Sequence, residues 1–142
     1  MQTMKIIILT VLLLSLENVS YGQQSEWTSA TNWIVYNVPE GKIWHLSIDS
    51  LKNFNRKVLN TDSLQALLLG TDSIIVQYSP AWMGAYLATC TLDHVTRKVI
   101  ISTYGGFFCD QISGKYFQVP LSVQKDWLNY WAASVASLQA SQ

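Results

Sequence analysis

Few residues in this chain are equipped for chemistry, and their spacing is unhelpful. His45 and His94 are the only histidines, so any mechanism needing an imidazole base or metal ligand must draw on one of them. His45 and Asp49 stand four residues apart on what reads as a strand, about 13 Å at 3.3 Å per residue, too far to share a metal ion. They read instead as a solvated face. Asp93-His94 falls in a predicted turn, where Asp is favoured for local backbone hydrogen bonds. A cysteine nucleophile needs a helix N-terminus or a cationic neighbour to lower its pKa. Cys109 follows Phe107-Phe108 and precedes Asp110, and Cys90 lies among small and apolar residues, so both thiols read as structural. The serine-hydrolase elbow, the zinc-protease helix motif, the phosphate and dinucleotide loops, the EF-hand loop and C-x-x-C are all absent from the sequence. No catalytic residue, metal site or cofactor is nominated. An enzyme reading survives only as a hydrolase whose site is assembled from dispersed residues such as His45, Asp49, His94 or Asp110.

The unusual feature is aromatic, with six Trp and seven Tyr in 142 residues. Trp33, Trp44, Trp127 and Trp131 fall on apolar stripes and are expected in the core. Trp82 sits in the connection spanning residues 78–84, and connections are where binding residues tend to be presented. Tyr104-Gly105-Gly106-Phe107-Phe108 is a second aromatic segment. Trp82, Tyr104, Phe107 and Phe108 are therefore the candidate contact surface. A platform of Trp82 and Tyr104 would suit a sugar ring or a partner's side chain.

These residues must be positioned by the elements around them. Residues 1–22 read as a cleaved secretory signal: Lys5, an apolar run over 6–16, then Ser20 and Gly22 at the −3 and −1 positions. The run is far short of the ~20 residues that span a bilayer, so no stable membrane span is expected after cleavage. Residues 23–142 then form one small domain. Residues 32–38 and 42–49 read as a hairpin about Pro39-Glu40-Gly41, placing Trp33, Val35, Trp44, Leu46 and Ile48 on one face. A short helical turn capped by Ser50 and a helix starting at Asp62 follow, Gly70 ending the latter. Residues 73–79 read as a strand. Residues 85–92 and 98–104 form a second hairpin, with its turn over 93–97. Gly105-Gly106 is a bulge or a further turn, 107–109 and 116–119 are strands, and Ser122 caps a C-terminal helix. Trp127, Leu128, Trp131, Val135 and Leu138 form one stripe of that helix. The fold class is α+β, a mostly antiparallel sheet of about five to seven strands with two or three helices, the last packed on the sheet.

An oxidising compartment favours a disulfide between Cys90 and Cys109. The layout resists it. If Gly105-Gly106 turns the chain, the two flank one central strand, roughly 9–10 Å apart, where bridged Cα atoms lie within about 7 Å.

Charge and composition narrow the function classes. Lys+Arg and Asp+Glu number nine each, so no basic face invites nucleic acid. With 13% charged and 12% aromatic residues, the chain has the wrong composition for disorder. The leading expectation is an exported protein, periplasmic or secreted, that captures or occludes a partner protein in the manner of an inhibitor or immunity protein. A carbohydrate or cell-wall binding module is the alternative, and the dispersed-site hydrolase the third.

Overall fold

The structure, a computed structural model, describes residues 26–74 and 84–140. The signal reading of residues 1–22, most of the strand expected over 73–79, and Trp82 lie outside the described residues.

The protein is an α+β fold built on a seven-stranded antiparallel sheet in the order β2-β1-β4-β5-β6-β7-β3. Its strands are β1 (Thr31–Tyr36), β2 (Arg56–Val58), β3 (Asp72–Ile74), β4 (Ala85–Leu92), β5 (Val95–Ser102), β6 (Phe107–Asp110) and β7 (Tyr116–Gln118). Helix α1 (Thr61–Leu68) carries the chain from one edge of the sheet to the other, and α2 (Gln124–Ala140) closes it. The centre is the β4–β5 hairpin, whose strands are buried on both faces and where Asp93 and His94 make a two-residue turn with both φ positive (52° and 62°). That geometry matches the right-handed twist of the flanking strands, and Asp tolerates it well. The observed turn is tighter than the five residues expected, so Cys90 pairs with Arg97, not with Ile101. A slip of four residues preserves the side-chain parity, so the same residues face the core. Gly105 and Gly106 (φ 72° and 71°) turn β5 into β6.

Both faces of the sheet are covered. On one, Trp33, Val35, Ala88, Cys90, Val99, Ile101 and Phe108 meet Leu64 and Leu68 of α1 and the stripe Trp127, Trp131, Val135 and Leu138 of α2. Each large apolar side chain buried there stabilises the fold by about 1.5–3 kcal/mol. Rings dominate the packing: Trp27 meets Trp33, Trp33 meets Trp131 and Trp131 meets Trp127 at centroid distances of 6.2, 6.0 and 5.4 Å. On the other face, Tyr36, Leu87 and Ile100 pack against Ile43 and Leu51.

That second cover corrects the expectation for residues 42–49. They are not a strand, because β1 already has β2 on one side and β4 on the other. The chain leaves β1 through Pro39 into 3-10 turns at Glu40–Lys42 and Ile48–Asn53, the second capped by Ser47, whose side chain accepts from the Ser50 backbone amide. The segment lies across the sheet and drops Ile43 and Leu51 into it. Trp44 and Ile48 consequently stay 38% and 37% exposed, against the core role expected of Trp44. Other corrections are local. Residues 56–58 form the edge strand β2, Asn60 caps α1 in place of Asp62, and a 3-10 turn at Leu121–Val123 precedes α2. Charged Arg56 and Lys57 on the β2 edge discourage pairing with another chain, and Lys57 Nζ donates to Ser137 Oγ at 3.0 Å, tying that edge to α2.

The expected Cys90–Cys109 bridge is absent; both thiols are free and buried. Cys90 is on β4 and Cys109 on β6, with β5 between them. Cys90 packs beneath the helices, whereas Cys109 pairs with Ile100, whose side chain belongs to the opposite face. The thiols are separated both by a strand and by the thickness of the sheet.

Candidate binding cleft

A concavity lies where β1 ends, β4 begins and α2 finishes. It is a half-open cleft of about 520 Å³, within the range of small-ligand and side-chain sites. Three separate stretches build it. Asn37, Val38, Pro39 and Glu40 come from the exit of β1, where the Asn37 amide donates to the Asn55 carbonyl at 2.9 Å and fixes the turn. Ala85, Tyr86 and Leu87 come from the start of β4, and Val135 and Gln139 from the last turns of α2. Phe54 completes an apolar wall from the segment that covers the second face.

Polar groups are spaced around that wall, among them the Asn37 and Gln139 side chains and the Glu40 carboxylate. Glu40 is the single charged residue of the lining. Its Oε1 rests over Gly84, 3.6 Å from where a Cβ would stand, and the Thr103 hydroxyl lies 2.8 Å from the same point. A side chain at 84 would press on the Thr103 hydroxyl, whereas the Glu40 carboxylate leaves room for it. Arg97–Asp110 is the sole ion pair among the described residues, so Glu40 has no cationic partner there.

Among the described residues, those singled out from sequence do not form one surface. Tyr104 is 62% exposed on the β5–β6 turn. Phe107 is half-buried, its ring packed beneath Gly105. Phe108 is fully buried, its ring stacked on Phe117 at 5.3 Å and 5.5 Å from Trp127, so it offers no surface and the contact role expected of it is withdrawn. Trp82 lies outside the described residues. Both His45 and His94 are exposed, and among the described residues neither makes a side-chain hydrogen bond that would orient it as a base. Asp49 is exposed as well. Asp110 is committed to structure: its carboxylate accepts from Arg97 Nη1 (2.9 Å), the Ile112 amide (3.0 Å) and the Ser113 hydroxyl (2.9 Å), pinning the β6–β7 turn. Among the described residues no group of three or more His, Cys, Asp or Glu could hold a metal ion. No helix among them is long and apolar enough to cross a membrane.

Sequence reasoning missed Asn37, Glu40 and Gln139. Each is an isolated polar residue in its own stretch, and only the crossing of β1, β4 and α2 makes them neighbours. The one available signal was negative: Glu40 beside Pro39 and Gly41 reads as an ordinary turn.

The thiols have a measurable consequence. Burial pushes Cys90 up to about 12, with the Asp110 charge adding to the rise and Arg97 opposing it. Cys109 is also raised, chiefly by burial. Below the ordinary thiol value of 9.0, folded and unfolded chains both keep the proton, and the stabilisation is fully present. Above it the unfolded chain releases protons that the folded chain retains, so stability falls by about 1.4 kcal/mol per pH unit for each such thiol. Lys98, lowered by burial, acts in the opposite direction up to its ordinary 10.5. Urea unfolding of the wild type and Cys90→Ala between about pH 9.5 and 11 isolates the thiol, the variant losing stability less steeply by about that amount per unit. Equal slopes would refute a protonated, buried Cys90. A thiol reagent should titrate two groups after unfolding and neither at speed before it.

The chain matches no family model, and no curated protein or solved structure is significantly similar to it.

Proposed function

We propose that this is an exported binding protein, periplasmic or secreted, that captures or occludes a partner protein through the cleft at the ends of β1, β4 and α2. One observation carries the reading: the cleft sets polar groups from separate stretches around an apolar wall and is half open, a form suited to a segment of chain that enters and leaves through solvent. The signal-like pattern of residues 1–22 supports export. The dispersed-site hydrolase has no comparable support, because its histidines are exposed at sites apart from the cleft and Asp110 is bound up in the β6–β7 turn. The carbohydrate reading rests on Tyr104 and Trp82, and Tyr104 stands apart from the cleft lining.

Gln139→Trp tests it. Gln139 is exposed on the last turn of α2, so a large ring there fills the cleft without entering the core. Thr96→Trp, exposed at the opposite end of the central hairpin, serves as the control. The expected result is one protein retained near stoichiometry by the wild type and by Thr96→Trp, with affinity reduced by at least about tenfold for Gln139→Trp, the loss typical of a blocked central contact. A partner retained equally by all three would overturn the cleft as the site. Retention on polysaccharide with no protein recovered would overturn the partner reading itself.

A further inference from the structure

The geometry points to a cationic occupant: we propose that the cleft takes a lysine or arginine side chain of the partner, flanked by an apolar residue. This rests on the cleft being the partner site. The charge around the lining decides the sign. Glu40 is the lining's single charged group and has no cationic partner among the described residues. Its Oε1 lies over Gly84 at the start of β4, and the residue as a whole is exposed, so an occupant can reach the carboxylate from solvent. The remaining polar atoms do not offset it, since the Asn37 and Gln139 amides can present their carbonyl oxygens to a donor. Val135 and Gln139 bring the C-terminal turns of α2 to the lining, and a helix C-terminus carries the negative end of its dipole. The cations beside the lining do not line it: Lys42 ends Glu40's own 3-10 turn, Arg56 lies on the edge strand opposite Tyr36, and Lys57 is engaged by Ser137.

The rest of the surface favours an aliphatic stem or a neighbouring ring beneath that charge. Val38, Phe54 and Tyr86 offer an apolar bed, and lysine and arginine stems pack on such surfaces while the charged head seeks an acceptor. An acidic group would be repelled by the Glu40 carboxylate, and an uncharged apolar residue would leave that carboxylate unused.

The probes are acetyl-Phe-Arg-amide and its neutral isostere acetyl-Phe-citrulline-amide, titrated into the full chain at low ionic strength. Binding is followed by NMR at the side-chain amides of Asn37 and Gln139. The arginine probe should bind about tenfold more tightly than the citrulline probe, the effect of one charge-assisted hydrogen bond partly open to water. Glu40→Gln should bring the arginine probe down to the citrulline level. Glu40 is exposed, so the variant folds, and near-ultraviolet circular dichroism checks that it does. Equal affinity of the two probes for the wild type, with shifts at Asn37 and Gln139, would overturn the cationic occupant and leave the cleft standing. Binding of neither probe at millimolar concentration, or shifts confined to other residues, would overturn both. A preference for arginine that survives Glu40→Gln would also overturn the assignment, since the charge would then be read elsewhere.

Discussion

Asp110→Ala will cost about 3–5 kcal/mol of folding stability, because it breaks a buried ion pair from one side. Asp110 is 3% exposed, and its carboxylate is the shared acceptor for Arg97, the Ile112 amide and the Ser113 hydroxyl. Removing it strands the Arg97 guanidinium, whose Nε already has no partner, and frees the turn between β6 and β7. Asp110→Asn separates the two losses. The amide oxygen can still accept from Ile112 or Ser113, but it cannot neutralise Arg97, so a smaller penalty dominated by charge should remain. Pairing Asp110→Ala with Arg97→Met should recover part of the loss, since removing both charges is less costly than leaving one. Urea midpoints for the four proteins close the cycle. Additive penalties would show that the carboxylate acts on the turn alone and that the ion pair contributes nothing. The variant also reports on Cys90, whose pKa the Asp110 charge helps to raise. Its alkaline loss of stability should begin at the same pH, set by the unfolded thiol, and end sooner.

The parts of the fold visible in the sequence are those in which one segment carries its own signal. Strand β4 was expected over 85–92 and occupies Ala85–Leu92, because its alternation and the following turn residues lie in one stretch. The stripe of α2 was equally legible: Trp127, Trp131, Val135 and Leu138 repeat at helical spacing and all are buried. What failed was pairing at a distance. Residues 42–49 alternate well enough to pass for a strand, yet no sheet edge is open to them once β2 and β4 flank β1. The same alternation then serves a different purpose, with Ile43 and Leu51 plugging the second face while Trp44 and Ile48 remain at the surface. Of the aromatic surface expected from Tyr104, Phe107 and Phe108, the last is lost on parity, since adjacent strand residues point to opposite faces and Phe108 is the inward member. The cysteines show the opposite case. The spacing that argued against a bridge holds, with β5 lying between β4 and β6. The cleft was illegible for a simpler reason: it belongs to no segment, only to the meeting of three.

Trp131→Ala should be the most damaging single change on the helix-facing side, at about 3–5 kcal/mol, enough to remove much of the 5–15 kcal/mol that holds a domain of this size together. Trp131 is fully buried and contacts Trp33, Trp127 and Tyr130 edge-on, so its loss leaves a void that touches β1 and two turns of α2 at once. Trp131→Phe is the informative partner. The Trp131 Nε1 is buried without a hydrogen-bond acceptor, as are Nε1 of Trp33 and Trp127. An unsatisfied buried donor costs about 1–3 kcal/mol, which phenylalanine removes while giving up only part of the ring area. The edge-on geometry softens that penalty, since an indole N–H directed at a neighbouring ring gains a weak contact. Trp131→Phe should therefore cost about 1 kcal/mol or less, a volume-reducing change partly offset by the loss of a strained polar atom. Near-ultraviolet circular dichroism should weaken in both variants, because Trp131 is the ring joining Trp33 to Trp127. Urea unfolding reads the energies. If Trp131→Phe proved as damaging as Trp131→Ala, the indole nitrogen would be making a strong bond, and an internal water would have to be placed among the three tryptophans.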